Sequence, residues 1–161
     1  MLVTGGGTDR APGSPAAVQR GHGVHVLDRA TDDPKPALVR DPGMTYRHGA
    51  VAEACAGGDV VECTGATELV FEVVACTGPA GIVCLTGVSS GGRRVAVVGA
   101  VNRELVPETD VVFGSVNANA AHYRAGVEAL ERADAAWLRR LVTRRVPLAQ
   151  WEEALERRRA T

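Results

Sequence analysis

Five short apolar runs recur at fairly even intervals along the chain, and they limit its fold more than any other feature. They occupy residues 2–4, 24–28, 60–64, 82–86 and 111–116. Each run is rich in β-branched residues and bounded by Gly, Asp or Pro, which is typical of buried strands in a parallel sheet. Segments with apolar positions at helical spacing alternate with these runs or follow them, at residues 68–77, 123–133, 135–141 and 148–158.

This alternation of strands and helices predicts an α/β fold with a doubly wound parallel sheet, the Rossmann fold. A chain of 161 residues with 45% hydrophobic content is the size of a single domain, which we expect to span residues 1–161. Ligands of such sheets bind beyond the carboxyl ends of the strands. The loops at that edge are predicted at residues 5–10, 28–29, 64–65, 86–92 and 117–119.

Composition narrows the classes of partner. The net charge of −1, from 18 basic and 19 acidic residues, gives no reason to expect binding to nucleic acid or to an anionic membrane. No apolar run approaches the roughly 18 residues needed to cross a bilayer, and no signal segment is visible, so we expect a cytoplasmic protein. The cysteines and histidines are scattered, which predicts reduced, mostly buried thiols and no metal site. The cysteines are Cys55, Cys63, Cys76 and Cys84.

The first loop resembles a phosphate-binding turn in part. In a G-x-G-x-x-G turn the glycines allow a tight bend and a close approach of pyrophosphate. Gly5 and Gly7 hold the first two positions, but Arg10 replaces the third glycine. Asp28 ends the next strand, where an acid can bind the adenosine ribose, whereas the neighbouring Arg29 could meet a 2′-phosphate. The sequence therefore leaves both NAD and NADP open.

Two prolines interrupt the helix that should follow this turn. Proline inside a helix costs about 3 kcal/mol, so a long helix through Pro12 and Pro15 is not expected. Ser14 before Pro15 is a favourable N-cap and Gly21 is a favourable terminator, so we predict a short helix over residues 15–20. A helix that starts this late predicts a weakened anion site. Whether the turn still binds a nucleotide is left open by three residues, Asp9, Arg10 and Pro12.

Two later loops offer small residues and free backbone amides. Residues 86–92 suit contact with a nicotinamide or a ribose, and they suit an ordinary turn equally well. Residues 114–119 can likewise be a ligand site or a strand end followed by a turn. Neither a nucleophile nor an acid–base pair can be named from the sequence.

Taken together, these stretches resemble the cofactor-binding half of zinc-dependent medium-chain dehydrogenases, and in particular their microbial glucose 1-dehydrogenase branch. The resemblance runs over nearly the whole chain, and its most specific motifs are ECTG, CLTGVSSGG and GSVNAN. It implies a Rossmann domain that binds NADP or NAD, with a catalytic zinc in a separate GroES-like domain. A hydride would pass from C1 of an aldose to the nicotinamide.

The resemblance also implies which residues bind the cofactor, and no catalytic residue or metal ligand is carried over to this chain. The implied cofactor-binding residues are Gly5, Gly7, Thr8, Asp28, Arg29, Thr86, Gly87, Val88, Ser115, Val116 and Asn117. Asn117 is also expected near the sugar substrate.

Two functions follow from these expectations. The zinc-bearing domain and a final strand are expected to be missing from this chain, so it could be an enzyme fragment that works with a separate catalytic domain. The alternative is a non-catalytic remnant that acts by self-association. Relatives pair through edge strands of this domain, which makes a homodimer an expectation, through the region of residues 95–98.

Overall fold

A computed structural model of the chain describes residues 1–5, 13–32, 34–55, 57–89, 91 and 98–155. Its centre is a sheet of six parallel strands in the order β3-β2-β1-β4-β5-β6. The strands are β1 (Leu2–Thr4), β2 (His25–Leu27), β3 (Thr45–Arg47), β4 (Val60–Glu62), β5 (Ile82–Leu85) and β6 (Val111–Gly114).

Helices connect the strands and complete the chain. They are α1 (Gly13–Gln19), α2 (Lys35–Arg40), α3 (Val51–Ala54), α4 (Thr67–Val74), α5 (Val98–Glu108), α6 (Ala120–Glu131), α7 (Ala135–Leu141) and α8 (Trp151–Leu155). A 3-10 turn, Leu148–Gln150, leads into α8. No helix within the described ranges is both long and apolar enough to cross a bilayer.

The sheet separates two apolar cores because neighbouring residues of a strand point to opposite faces. Leu2 packs with residues of α3 and α4, including Val51 and Val73, on one face. Val3, the next residue of β1, packs with Val39 and other residues on the opposite face. The doubly wound α/β fold predicted from the strand–helix alternation is therefore confirmed.

The helices α6 and α7 pack on the face that carries α1 and α2. The Trp137 indole of α7 is buried and donates a hydrogen bond of 2.7 Å to the Leu38 carbonyl of α2. The Gln19 amide of α1 donates to the Ala129 carbonyl of α6 at 2.9 Å. These two hydrogen bonds join α7 to α2 and α1 to α6.

All five predicted strands are present, but β6 departs from the expectation of a buried strand. It lies at the edge of the sheet, and the side chains of Val111, Val112 and Phe113 are 51%, 38% and 45% exposed. A strand needs layers on both faces to be buried, and an apolar sequence alone does not provide them.

Several elements were not predicted from the sequence. The strand β3 pairs with β2 alone, and its residues Thr45 and Arg47 are exposed. The sequence therefore has no apolar run that would predict this strand. The helices α2, α3 and α5 were also missed. The segment predicted as a helix over residues 148–158 starts as a 3-10 turn, and its last three residues lie outside the described ranges.

The helix predicted over residues 15–20 is present as α1, but its start was misplaced. The helix includes Gly13 and Ser14, so Ser14 lies within its first turn and is not its N-cap. Its end was predicted correctly, because Gly21 has a φ of 83° and its N–H donates to the Val18 carbonyl.

The prediction that all four cysteines are reduced thiols is wrong for two of them. Cys55, at the end of α3, and Cys76, just after α4, form a disulfide between positions 21 residues apart, with Cα atoms separated by 5.9 Å. Cys63 and Cys84 take no part in a disulfide, and burial raises the pKa of Cys84. The packing of α3 against α4 brings the first pair together, and sequence spacing does not reveal it.

Candidate functional site

The chain order reverses between β1 and β4, and the carboxyl ends of these central strands form a crevice. Gly5 follows β1 at this point, and its N–H donates to the Leu27 carbonyl at 2.8 Å. Its φ of 90° is a conformation that side chains other than glycine rarely adopt. The backbone conformation at the end of β1 therefore favours glycine at this position.

A pocket of about 600 Å³ occupies this crevice. One side of it comes from β2 and the start of α2, and the other from the loop after β4 and the start of α4. The first side contributes Leu27, Asp28, Arg29 and Lys35, and the second contributes Thr64, Ala66, Glu68 and Leu69, with Gly5 and Gly49 completing the lining. Three of the residues predicted to bind a cofactor, Gly5, Asp28 and Arg29, are thus brought together.

Asp28 is held in place at the β2 side of the pocket. Its Oδ1 accepts a hydrogen bond of 3.1 Å from the Ala30 N–H, and its Oδ2 lies 3.4 Å from Lys35 Nζ. Behind it, the Tyr46 hydroxyl donates to the Ala30 carbonyl. Burial, followed by the negative charge of Asp28, raises the pKa of Tyr46, so the phenol stays protonated and keeps this hydrogen bond.

A fully buried carboxylate lies under the centre of the crevice. The Glu62 side chain, at the end of β4, has an exposed fraction of 0%. Its Oε1 accepts from the Thr64 N–H at 2.6 Å, from the Thr64 hydroxyl and from Thr4 Oγ1, and its Oε2 accepts from the Gly65 N–H at 3.1 Å. Glu62 therefore connects the ends of β1 and β4 and shapes the loop that lines the pocket.

The loops after β4 and β5 pack directly against each other. A side chain on Gly65, which has a φ of 68°, would place its Cβ 2.5 Å from the Val88 carbonyl oxygen, and one on Gly87 would place its Cβ 2.1 Å from the Gly65 nitrogen. The Thr86 hydroxyl donates to the Glu62 carbonyl at 3.0 Å and holds the second loop to β4. Thr86, Gly87 and Val88 thus follow the pocket along the edge of the sheet without lining it.

The remaining predicted contacts lie further along the same edge. The Ser115 N–H donates to the Leu85 carbonyl at 2.9 Å, which keeps the end of β6 in line with β5. Ser115, Val116 and Asn117 are exposed and are not part of the pocket lining. Gly7 and Thr8 lie outside the described residues, as do Asp9, Arg10 and Pro12.

Sequence reasoning missed two charged residues of this region. Lys35 follows the loop after β2 and is the only lysine of the chain, but nothing local predicts its contact with Asp28. Glu62 was noted only as part of a strand and of the ECTG motif, with no role of its own, although an acid inside an apolar run is itself a signal of a buried, hydrogen-bonded carboxylate.

The described part of the chain brings together no group of three or more His, Cys, Asp or Glu side chains that could hold a metal ion. Among the residues that the structure describes, Asp28, Arg29, Lys35 and Glu68 supply the charged groups of the pocket, and the other lining residues are apolar or neutral. A mixed set of this kind suits hydroxyl and phosphate groups on one organic ligand.

The strand order, the reversal between β1 and β4 and the pocket at that point define a protein of the Rossmann class, whose ligands bind at this crevice. A family model described as glucose dehydrogenase C-terminus matches residues 15–161. The chain therefore belongs to the glucose dehydrogenase C-terminal family, and the resemblance to dehydrogenases inferred from the sequence is confirmed.

Curated relatives agree with this assignment. The chain is 38% identical over 101 residues to a glucose 1-dehydrogenase of Methanocella arvoryzae, a match that covers 60% of this chain and 28% of the relative. It is 33% identical over 135 residues to glucose 1-dehydrogenase 2 of Vulcanisaeta moutnovskia, covering 81% of this chain and 39% of that one. The chain thus spans less than two-fifths of the length of these two relatives.

Solved structures share the fold. A Haloferax mediterranei glucose dehydrogenase in complex with NADP, Zn and gluconolactone superposes with a TM-score of 0.84 at 24% identity, over 98% of this chain and 47% of that one. An alcohol dehydrogenase of Thermotoga maritima superposes with a TM-score of 0.77 at 19% identity, over 96% of this chain and 45% of that one.

Proposed function

We propose that this chain is the cofactor-binding domain of a glucose dehydrogenase-like oxidoreductase and that it binds NADP or NAD. The observation that carries the proposal is the pocket of about 600 Å³ at the reversal point of the sheet, with Asp28 and Arg29 at the end of β2 and Gly5 at the end of β1. This is where dinucleotides bind to Rossmann sheets. The related Haloferax enzyme was solved in complex with NADP, which supports a nicotinamide cofactor.

The order of the loops along the sheet fits a dinucleotide. The loops after β2 and β6 lie four strand spacings apart, about 19 Å at 4.8 Å per spacing. A mononucleotide is too short for that span. We place the adenosine ribose at Asp28 and Arg29, the pyrophosphate at Gly5 with Gly7 and Thr8, and the nicotinamide end at the two loops beyond β4. Those two loops contribute Thr86, Gly87, Val88, Ser115, Val116 and Asn117.

The bound cofactor would supply the chemistry, a hydride acceptor for C1 of an aldose. In the family that the sequence resembles, zinc is held by a GroES-like domain, and Asn117 would lie between the nicotinamide and the sugar. Since the family match concerns the C-terminal region, we propose that the residues of this domain bind the cofactor and that hydride transfer also requires the GroES-like domain that holds the zinc.

Isothermal titration of the chain with NADP⁺ and with NAD⁺ tests this proposal. Saturable heat with at least one of them is expected, and Asp28→Ala should change the affinity for both. Asp41→Ala is the matched control, because Asp41 is an exposed aspartate outside this pocket. If neither NADP⁺ nor NAD⁺ produces heat at millimolar concentration, the proposal is contradicted.

A second candidate function, self-association, is favoured by the exposed edge strand β6. Unpaired strand edges with apolar side chains pair readily with other strands, and β6 exposes Val111, Val112 and Phe113. We propose a homodimer formed through this edge. Such self-association is also the function expected of a non-catalytic remnant. The predicted region of residues 95–98 lies largely outside the described residues.

The oligomeric state can be measured by size-exclusion chromatography with light scattering. A dimer that Val112→Lys converts to a monomer would support pairing through β6. A wild-type chain that stays monomeric at 100-fold higher concentration would contradict it.

A further inference from the structure

We infer that the Cys55–Cys76 disulfide is a reversible redox site and that its reduction weakens nucleotide binding in the pocket. The inference rests on the proposed nucleotide-binding function and adds a means of regulating it. The reactants are thiols and disulfides, since a dithiol opens the bridge and a low-molecular-weight disulfide closes it. The observation that carries the inference is that the bridge joins two helices whose opposite ends lead into the pocket.

The bridge lies at the carboxyl ends of α3 and α4, and the pocket lies at their amino ends. Cys55 follows the last residue of α3, and Gly49, just before this helix, lines the pocket. Cys76 follows α4, whose first turn contributes Glu68 and Leu69 to the lining. A covalent bond between the carboxyl ends therefore limits how far the two helices can move apart at the pocket.

Continuous apolar packing also connects the bridge to the pocket. Cys55, Cys76 and Leu69 all pack against one buried cluster that contains Leu27. Leu27 and Leu69 are lining residues of the pocket. Because a close-packed interior transmits strain, a displacement of the helices at the bridge reaches the pocket wall through this cluster.

The helix α3 is too short to be stable by itself. It is a single turn, Val51–Ala54, whereas isolated helices shorter than about 12 residues are already marginal in water. Its N-cap residue is Ala50, whose side chain has no hydrogen-bond acceptor. The helix therefore depends on its tertiary contacts and on the bridge, and loss of the bridge lets α3 and the preceding Gly49 move more.

The chain holds the two cysteines close by contacts that do not need the bridge. Each cysteine begins a Cys-x-Gly segment, at residues 55–57 and 76–78. The two glycines are in contact, since a side chain on Gly78 would place its Cβ 2.1 Å from the Gly57 carbonyl oxygen. Both cysteines are half-buried, so a small thiol can reach them. The reduced thiols therefore stay close enough for the bridge to form again.

Opening the bridge is a two-electron step. A thiolate of the dithiol attacks one sulfur, which breaks the Cys55–Cys76 bond and forms a mixed disulfide, and the second thiol of the reductant then resolves it. The reductant leaves as a cyclic disulfide, and the two cysteines gain two electrons and two protons. In the closing step the cysteines return these electrons and protons to a low-molecular-weight disulfide, which becomes two thiols.

Isothermal titration of the oxidised chain and of the dithiothreitol-reduced chain with NADP⁺ and NAD⁺ tests the inference. Reduction should weaken nucleotide binding at least about fivefold, the lower end of the usual coupling between two sites. Circular dichroism should show that the reduced chain remains folded. The double variant Cys55→Ser/Cys76→Ser should bind like reduced wild type and should not respond to the dithiol. Cys84→Ser is the matched control, because it keeps the bridge and should keep the response.

Thermodynamic linkage supplies a second readout that needs no variant. If reduction weakens nucleotide binding, saturating nucleotide must stabilise the bridge against reduction by the same factor. For a two-electron couple, a fivefold change makes the midpoint potential about 20 mV more negative. The midpoint is measured in buffers of reduced and oxidised dithiothreitol at graded ratios, by alkylating the released thiols and identifying them by peptide mass spectrometry.

The possible results separate the inference from the proposed function. If the oxidised chain binds nucleotide and the folded, reduced chain binds it equally well or more tightly, the inference is overturned and the proposed function stands. The inference also fails if reduction unfolds the chain or if the bridge does not form again on oxidation. A midpoint that nucleotide leaves unchanged overturns it even where the double variant does not fold. If neither form binds NADP⁺ or NAD⁺, both are overturned.

Discussion

Removing the buried Glu62 carboxylate should destabilise the protein and loosen the floor of the pocket. The relevant variants are Glu62→Ala, which removes the acceptor, and Glu62→Gln, which keeps the shape and removes the charge. Glu62 is completely buried, and it accepts hydrogen bonds from two backbone N–H groups and two hydroxyls. The hydroxyls can rotate to other acceptors, but the N–H groups of Thr64 and Gly65 cannot.

The magnitude follows from those two N–H groups. An unsatisfied buried donor costs about 1–3 kcal/mol, so Glu62→Ala should lower the free energy of unfolding by about 3 kcal/mol. Glu62→Gln keeps one acceptor oxygen but points its NH₂ group at a donor that Glu62 Oε1 or Oε2 now satisfies, which should cost about 1–2 kcal/mol. Losses of this size are large beside a total stability of about 5–15 kcal/mol.

Urea unfolding followed by circular dichroism measures these losses, with the slope of the transition checked for constancy. Glu131→Ala and Glu131→Gln, on the exposed face of α6, are matched controls that should stay within about 0.5 kcal/mol of wild type. Hydrogen exchange should also become faster at the Gly65 amide in Glu62→Ala. A loss below about 1 kcal/mol for Glu62→Ala would refute the view that this carboxylate holds the loop.

Three further predictions follow from single contacts. Reduction of the Cys55–Cys76 disulfide, or Cys76→Ser, should lower the free energy of unfolding by about 3 kcal/mol, because the bridge closes a loop of 21 residues. Urea unfolding with and without a dithiol measures this loss, and equal unfolding midpoints would contradict the prediction. Gly65→Ala should cost about 2 kcal/mol or more in the same assay, because its Cβ would overlap the Val88 carbonyl and its φ is positive; a neutral effect would show that the two loops do not pack as described. Burial, followed by the charges of Arg47 and the amino terminus, lowers the pKa of His25 in the folded protein, so the unfolded chain binds the proton more tightly and the folded state loses stability as the pH falls through about 6.5. The melting temperature of His25→Gln should therefore fall less between pH 7 and pH 5 than that of wild type. Parallel pH profiles of the two melting temperatures would refute this sign.

Where the sequence pattern failed, the missing information was non-local. The strand β3 has only β2 beside it, so two of its three side chains face solvent and no apolar run forms. The helix α2 begins after Pro34 and contains Pro36, which discourages a helix prediction although proline is tolerated in a first turn. The disulfide depends on α3 packing against α4, and the exposure of β6 depends on its place at the edge of the sheet.

Some residues of the candidate site were predicted from the sequence, and others were found only in the structure. Gly5 was predicted from the partial glycine turn, Asp28 and Arg29 were predicted from their place at the end of the second strand, and all three lie in one pocket. Lys35 and Glu62 contribute through partners that the chain order does not reveal: Lys35 meets Asp28 by the turn into α2, and Glu62 reaches Thr4 across 58 positions of sequence.

The amino-acid sequence by itself determined the α/β class, five of the six strands, the termination of α1 before Gly21 and the family resemblance, because these depend on local propensity and on short motifs. Only the tertiary structure decided the position of β3 and β6 at the two edges, the pairing of Cys55 with Cys76 and the burial of Glu62. It also decided that the single lysine lies against Asp28. Each of these depends on which strands and helices become neighbours, and that choice is made by packing the whole sheet between its two helical layers.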